Sequence, residues 1–263
     1  MRLTVLTANM WLLIPPFMKD NDYRVGELIK IIKTRKPDIV FLQEVWLKRY
    51  VQKIKKELPE YFLVASYMLR RSRMGRLNLI NRSGLATLSR WPLISTSLTT
   101  FRRSKGSSLV ERMAMKGMLG SDLAIKGKKV RLFNVHVYSC TNGTEEQIAI
   151  NQIKSIQKKV VGNGLVIVGG DFDMPPDIVK KQIGDDFIFG LDSQKTVSSK
   201  NHYWQDPLHK IMNNEVVVSR ADRKLDYVIV RAKESKRVKI KSEVIKEPLV
   251  SDHYPVWAEI TIT

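Results

Sequence analysis

The chain of 263 residues is 43% hydrophobic, which supplies enough apolar side chains for a sizeable folded core. Its 45 Lys and Arg residues against 26 Asp and Glu give a formal net charge of +19, which favours polyanionic partners such as nucleic acid or an anionic membrane surface. The single cysteine, Cys140, excludes an intramolecular disulfide, and no apolar run approaches the length of about 18 residues that a membrane-spanning helix needs.

The first half of the chain alternates between strand-like and helix-like segments. Apolar and β-branched residues predict strands at 3–7, 38–44, 61–67 and 83–94, with Asn9 directly after the first of them. Apolar residues at helical spacing predict helices at 25–36 and 50–58, each followed by a proline that ends it.

The second half continues in the same way. Strands are predicted at 113–125, 129–138, 165–168, 225–230 and 256–262, and a helix at 145–160. No internal repeat, linker or low-complexity segment interrupts the chain. The pattern predicts one α/β domain over residues 1–263, with two β-sheets packed face to face and helices outside them.

The segment 165–176 organises the rest. Its apolar start indicates a strand buried on both faces, and Gly169-Gly170 would let the backbone turn sharply and lie close to a ligand. Asp171 and Asp173 follow, and Pro175-Pro176 predicts the end of regular structure. Carboxylates at the end of a buried strand are costly unless a metal or another cation compensates them.

Other polar residues also lie where hydrophobic strands end. The full set is Asn9, Glu44, His136, Asp171, Asp173, Asp226, Asp252 and His253. If these ends converge, the site is rich in oxygen donors and has no cysteine, which suits Mg²⁺ or Mn²⁺ rather than zinc. A water activated beside such a metal, with histidine as acid or base, is the chemistry of phosphoester hydrolysis.

Two motifs are the most specific: Leu-Gln-Glu-Val-Trp at 42–46 and Ser-Asp-His-Tyr-Pro-Val at 251–256. With the other strand-end residues, in the same order, they make the chain resemble the endonuclease/exonuclease/phosphatase superfamily from Leu3 to Ile260. The resemblance implies the DNase I-like fold, a four-layer α/β sandwich of two mixed sheets flanked by helices. It also implies a Mg²⁺-dependent phosphodiester hydrolase, with Mn²⁺ as a possible substitute.

The resemblance implies a metal centre and a nucleophile. Glu44 would be the principal Mg²⁺ ligand, assisted by Asn9 or Asp252. Asp171 would orient or deprotonate the attacking water.

The resemblance also implies roles at the phosphate. His253, held by Asp226, would contact the scissile phosphate and stabilise its developing charge. His136 would contact the phosphate or assist the leaving group.

Asp173 departs from the superfamily pattern, which has Asn at this position. An ionised Asp only accepts hydrogen bonds and brings negative charge towards a phosphate. We therefore expect one of three outcomes: Asp173 shares a proton with Asp171, it recruits a second cation, or activity is weakened.

Three functions stay open. The segments Asn9-Met10-Trp11, 43–46 and 83–93 resemble neutral sphingomyelinases and favour a phospholipase C activity. The basic segments at 70–76, 102–105, 126–131 and 233–241 could contact a phosphate backbone, which suits a DNase I-like nuclease, but their charge suits DNA, RNA and anionic lipid equally. A catalytically weakened protein that binds nucleic acid or membranes is the third. The expected protein is a monomer without a transmembrane segment, cytoplasmic or otherwise intracellular, or secreted if a signal segment was removed.

Overall fold

The computed structural model describes residues 1–12, 20–69, 80–101, 114–139, 143–160, 164–190, 194–203, 222–232 and 237–263. The basic segments predicted at 70–76 and 102–105 lie outside the described residues, as do Cys140 and residues 233–236. The basic segment at 126–131 is described, and it forms the tip of a β-hairpin and the start of its second strand.

The first sheet has six strands. They are β1 (Arg2–Leu12), β2 (Ile39–Val45), β3 (Phe62–Ala65), β4 (Ala86–Ser89), β11 (Val238–Val244) and β12 (Val256–Ile262). Their order across the sheet is β11-β12-β1-β2-β4-β3. The central pair β1 and β2 is parallel and the other pairs are antiparallel, so the sheet is mixed.

The second sheet repeats this plan. Its strands are β5 (Ser95–Thr100), β6 (Gly117–Ile125), β7 (Lys128–His136), β8 (Leu165–Asp171), β9 (Phe187–Phe189) and β10 (Asp226–Arg231). Their order is β5-β6-β7-β8-β10-β9, and only β7 and β8 pair in parallel among these described strands. Each sheet therefore carries a parallel pair near its centre.

Helices cover the outer faces of both sheets. The helices are α1 (Asn21–Arg35), α2 (Lys48–Glu57), α3 (Gly143–Lys159) and α4 (Pro176–Ile183), with a short 3₁₀ helix at Ser66–Leu69. The first two pack on the first sheet and the last two on the second. Between the sheets lies a third apolar cluster that includes Val5, Phe41, Ile167 and Val228. The predicted four-layer sandwich is confirmed.

Several local predictions are wrong in their bounds; for example, only Ala86–Ser89 of the predicted strand 83–94 is a strand, and the strand predicted at 113–125 begins at Gly117. Strand β1 continues to Leu12, so Asn9 lies inside it rather than after it. The strand predicted at 61–67 ends at Ala65 and gives way to the 3₁₀ helix. Helix α4 begins at Pro176, because a proline at the first helical position gives up no hydrogen bond and already has the required φ.

Three edge strands were not predicted, namely β5, β9 and β11. In β11 the residues Lys239 and Lys241 are outward-facing members of an alternating strand, whereas the sequence suggested only a run of charge. Lysines on an exposed edge strand discourage pairing with other chains. Strand β9 has only three residues and β5 consists almost entirely of Ser and Thr, so neither has a clear apolar pattern in the sequence.

The two glycines before Asp171 serve packing rather than a turn. Gly169 lies inside β8, and a Cβ there would come within 2.4 Å of the Phe41 ring in the opposite sheet. Gly170 has φ +146°, and a Cβ there would lie 2.0 Å from the carbonyl oxygen of Val135 on β7. The predicted sharp turn is therefore wrong, and the close approach is to the protein's own core.

We expect Gly169→Ala to lower the free energy of unfolding by about 1–3 kcal/mol, because the added methyl group overpacks the core against Phe41. Gly26→Ala in α1 is the matched control, since a Cβ at Gly26 meets nothing within 4 Å and alanine favours the helix. Denaturant unfolding measures both. Equal stability of the two variants would contradict this account of Gly169.

Candidate active site

The candidate site lies where the parallel strands of both sheets end. His136 and Asp171 are the last residues of β7 and β8 and stand side by side in the ladder. Asp226 begins the antiparallel strand β10 and pairs with Asp171 from the other side. Asp171 thus lies between two polar residues of the neighbouring strands, His136 on β7 and Asp226 on β10, at the same edge of the sheet.

Asn9 connects the two sheets at this edge. Its side-chain amide nitrogen donates to Glu44 Oε1 at 3.0 Å and to Asp171 Oδ2 at 2.9 Å. Its oxygen accepts a hydrogen bond from the backbone N–H of Trp11 at 3.1 Å, across an irregularity in the β1–β2 register that lies between Asn9 and Leu12. In this arrangement Asn9 presents a donor to both carboxylates, and its predicted part as a metal ligand stays a prediction.

Glu44 is held in an unusual backbone conformation. Its φ is 55°, in the left-handed region that costs free energy for a residue other than glycine. The 83–84 turn packs directly against it: a Cβ on Gly84 would lie 3.0 Å from the Glu44 Cα. On the other side, Trp46 Nε1 donates to Glu44 Oε2 at 3.3 Å. The surroundings therefore fix where this carboxylate points.

His136 is fully buried, with 0% of its surface exposed. Its Nε2 lies 3.6 Å from Glu44 Oε1 and 3.7 Å from Asp171 Oδ2, beyond hydrogen-bonding distance. Within the described part of the chain, neither ring nitrogen has a hydrogen-bond partner. Burial, reinforced by the positive charges of Lys116 and His253, holds the pKa of His136 well below its usual value, so its imidazole is neutral.

The two carboxylates that Asn9 joins are deeply buried. Burial raises the pKa of Asp171 well above its usual value, and the neighbouring charge of Asp173 raises it further. Burial also raises the pKa of Glu44, against the opposing effect of Lys116. Both shifts report negative charge that the surrounding protein compensates incompletely. A cation bound here would remove that deficit.

Two groups of residues bring ligand atoms within 4.8 Å of one another. One consists of His136, Asp171 and Asp173, and the other of Asp171, Asp226 and His253. Asp171 belongs to both and is therefore the centre of the candidate metal-binding region. The buried Oδ1 of Asp226 is a further acceptor that lacks a hydrogen-bond partner among the described residues.

His253 and Asp226 form a buried ion pair, with 2.8 Å between Nδ1 and Oδ2. Burial lowers the pKa of His253, but the negative charges of Asp226, Asp171 and Asp252 outweigh it and raise the pKa well above its usual value. His253 is therefore an imidazolium at neutral pH. The Thr196 hydroxyl accepts hydrogen bonds from the backbone N–H groups of Leu225 and Asp226 and thereby fixes the start of β10.

Asp252 is bound into its own turn. Its Oδ1 accepts from the Ser251 hydroxyl at 2.8 Å and from the His253 backbone N–H at 3.1 Å. Its charge lies near enough to Glu44 to raise the pKa of that carboxyl. Asp252 therefore shapes the field of the site, while its part as a direct metal ligand stays a prediction.

Lys116 belongs to the site, although no sequence motif predicted it. It precedes β6, is only 7% exposed, and its Nζ donates to the Ser139 hydroxyl at 2.8 Å. The same Nζ lies 3.5 Å from Asp173 Oδ2, which in turn accepts from the Ser139 hydroxyl at 2.5 Å. A single charge inside the apolar run 113–118 was the available signal. The cation that lies beside Asp173 is thus a lysine of the chain itself, and the three outcomes expected for Asp173 stay predictions.

A second buried cation, Arg24, hydrogen-bonds the end of β1, the strand that carries Asn9. Its guanidinium is 0% exposed and donates to the backbone carbonyls of Met10 and Trp11, each at 3.1 Å. It also pairs with Asp20 at 3.3 Å and lies 4.8 Å over the ring of Tyr203. Arg24 thereby anchors the end of β1, from which Asn9 projects.

None of the described helices is both long enough and apolar enough to cross a lipid bilayer.

Comparisons with known proteins agree with the fold. Sphingomyelinase C from Streptomyces griseocarneus superposes with a TM-score of 0.73 at 19% identity, covering 98% of this chain and 99% of that one. A D. rerio TDP2 carrying 14 humanizing mutations superposes with a TM-score of 0.70 at 16% identity, covering 99% of both chains. These likenesses confirm the predicted DNase I-like fold.

Sequence comparison extends the likeness. A Drosophila melanogaster protein named "Putative neutral sphingomyelinase" is 23% identical over 193 residues, which are 70% of this chain and 42% of that protein. The chain thus spans less than half the length of this relative. The model of the Endonuclease/Exonuclease/phosphatase family matches residues 6–253, from β1 to His253. This match covers almost all of the chain and every residue of the site described above, and the chain therefore belongs to the endonuclease/exonuclease/phosphatase family.

Proposed function

We propose that this protein is a metal-dependent phosphodiester hydrolase with a sphingomyelinase-like phospholipase C activity, carried by one catalytic domain. The observation that supports it most is the convergence of Asn9, Glu44 and Asp171 from two sheets, beside His136 and the His253–Asp226 pair. Membership of a family of endonucleases, exonucleases and phosphatases supports phosphoester chemistry at this site.

The donor set fits a hard divalent cation. Glu44 and Asp171 are buried carboxylates whose pKa values are raised by burial, and the His136 ring nitrogens have no partner among the described residues. Oxygen donors favour Mg²⁺ or Mn²⁺. We assign Glu44 as the principal ligand, with Asn9, Asp171 and Asp252 as candidates to complete the set. A bound divalent ion supplies polarisation of the phosphoryl oxygen.

The remaining groups accept the proton of the attacking water and stabilise charge that develops on the phosphate. Asp171 positions the attacking water and accepts its proton, a task that suits a buried carboxylate whose pKa is raised above its usual value. The His253 imidazolium faces developing negative charge on the phosphate, and Asp226 keeps it protonated and oriented. His136 is neutral, so it offers a ring N–H to a phosphate or leaving-group oxygen without adding charge.

The choice of substrate rests on the relatives. The similarity to the fruit-fly protein covers 70% of this chain and favours a sphingomyelin-type headgroup. A nuclease is the alternative, because the net charge is +19 and the fold also resembles a D. rerio TDP2 complexed with single-stranded DNA product. A weakened binding protein is the third, since Asp173 brings a carboxylate to the site.

In parallel assays we expect Mg²⁺-dependent release of phosphocholine from sphingomyelin vesicles, without nicking of plasmid DNA or cleavage of single-stranded DNA. Quantification of released phosphocholine measures the lipid arm and gel mobility measures the nucleic-acid arm, each repeated in EDTA. Cleavage of nucleic acid alone would transfer the assignment to the nuclease. Salt-sensitive binding without turnover would favour the non-catalytic alternative.

We expect Glu44→Gln to reduce hydrolysis by more than about a hundredfold, because changes to outer-shell partners of a metal already cost about 10- to 100-fold. Mg²⁺ should raise the melting temperature of the wild-type protein, since a ligand that binds the folded state stabilises it, and the variant should lose that rise. Glu57→Gln, an exposed surface change, is the control. An unaltered Mg²⁺-induced rise in Glu44→Gln would contradict the assigned ligand.

Asp226→Asn tests the imidazolium. Because the raised pKa of His253 depends on Asp226, activity that needs protonated His253 persists to high pH in the wild type. Removing the carboxylate charge lowers that pKa, so the alkaline limb of the kcat/KM profile should move down by about one pH unit or more. Asp177→Asn, on the exposed start of α4, should leave the limb in place. An unmoved limb in Asp226→Asn would refute the assignment of charge to His253.

A further inference from the structure

Lys116 lies in an acidic cluster that the proposed mechanism leaves partly unexplained. Its buried Nζ is 3.5 Å from Asp173 Oδ2 and 2.8 Å from Ser139 Oγ, and Ser139 also donates to Asp173. Asp173 in turn donates its backbone N–H to Asp171 Oδ1 at 2.9 Å. The Lys116 ammonium is therefore connected to Asp171, the predicted base, through the side chain and the backbone N–H of Asp173.

The positive charge of Lys116 affects the pKa values of three residues of the site. Its positive charge opposes the effect of burial on the pKa values of Glu44 and Asp171, and it helps to keep His136 neutral. Without it, Asp173 would add an uncompensated negative charge beside Asp171. A phosphodiester is itself an anion, so such a charge would repel the substrate.

We propose that Lys116 is a positioning residue: its ammonium neutralises Asp173, so that the Lys116–Asp173 pair behaves as one neutral hydrogen-bonding unit beside the phosphate. This inference rests on the proposed phosphodiesterase function. The backbone places the two residues: Asp173 lies in the left-handed region with φ 52°, and Lys116 leads directly into β6 opposite the end of β7. Both side chains are enclosed, with 6% of the Lys116 side chain and 13% of the Asp173 side chain exposed.

The proposed pairing predicts that Asp173→Asn lowers activity, which is the opposite of what a defective Asp173 would predict. If Asp173 were merely a defect in the site, Asp173→Asn alone would raise activity. In a neutralised pair, that change removes the negative charge of Asp173 and leaves an excess positive charge at the buried Lys116, while Lys116→Met leaves the negative charge of Asp173 facing the phosphate. Each single variant should therefore lose kcat/KM by at least about tenfold, and the double variant should recover most of that loss.

Metal affinity supplies a readout independent of turnover. Calorimetric titration with Mn²⁺ alone should show tighter binding in Lys116→Met, which leaves the site more negative, and weaker binding in Asp173→Asn, which leaves it more positive. The double variant should return near the wild-type affinity. Each single shift should be about tenfold, the size expected for close charge pairs. A purely structural role would weaken binding in both variants.

Lys129 and Asp122 provide the matched control, since they form a Lys–Asp pair at 2.8 Å on the same sheet with the Lys129 side chain 63% exposed. Lys129→Met and Asp122→Asn should change neither readout, as expected for a surface pair. Lys116→Arg, which keeps the charge, serves if Lys116→Met does not fold, and it should keep the Mn²⁺ affinity of the wild type.

The outcomes separate the two proposals. Mn²⁺ shifts of the same sign, shifts that do not cancel in the double variant, or a Lys116→Arg protein that behaves like Lys116→Met would overturn the pairing. If the two single variants shift the Mn²⁺ affinity in opposite directions, but the wild-type protein hydrolyses neither sphingomyelin nor DNA, the pairing is supported and the proposed function is refuted. If the wild-type protein binds no Mn²⁺, the proposed effect of the Lys116–Asp173 pair on metal binding is wrong. If its hydrolysis of the substrate persists in EDTA, the protein is still a phosphodiesterase, but one that does not need the metal.

Discussion

The side-chain amide of Asn9 is the contact on which the site depends. It is the point where the edge of the first sheet meets the edge of the second, and it lies between two buried carboxylates, Glu44 and Asp171. Two such carboxylates repel one another, and an amide nitrogen can donate to both at once. The packing of the apolar cluster between the sheets, around Phe41 and Gly169, brings these strand ends to that distance.

Much of this arrangement follows from local sequence. Polar residues that come directly after buried apolar runs are expected to meet, because parallel strands end at a common edge of their sheet. Glu44, His136 and Asp171 converge in this way. Asp226 and His253 reach the same edge from the opposite direction, because they lie at the start of β10 and just before β12, which run antiparallel to their neighbours. The pairing of His253 with Asp226, expected from the family resemblance, is present at 2.8 Å.

Other features depend on contacts between distant segments and could not be predicted. Lys116 and Asp173 lie far apart in the chain, and no pattern within either segment indicates that they meet. The closeness of Gly169 to Phe41 depends on how the two sheets stack. Helix α4 escapes prediction for a local reason, because Pro175-Pro176 has the pattern of a stop although a proline can also begin a helix.

The segment 194–203 has a mechanical consequence. Tyr203 lies under the buried guanidinium of Arg24 and hydrogen-bonds Asp20, and Asn201 donates to the carbonyls of Ser251 and Asp252. One short stretch therefore fastens the strand that bears Asn9 to the loop that bears His253. The same ten residues therefore couple the position of Asn9 to the position of His253, although neither of these two residues is in the segment.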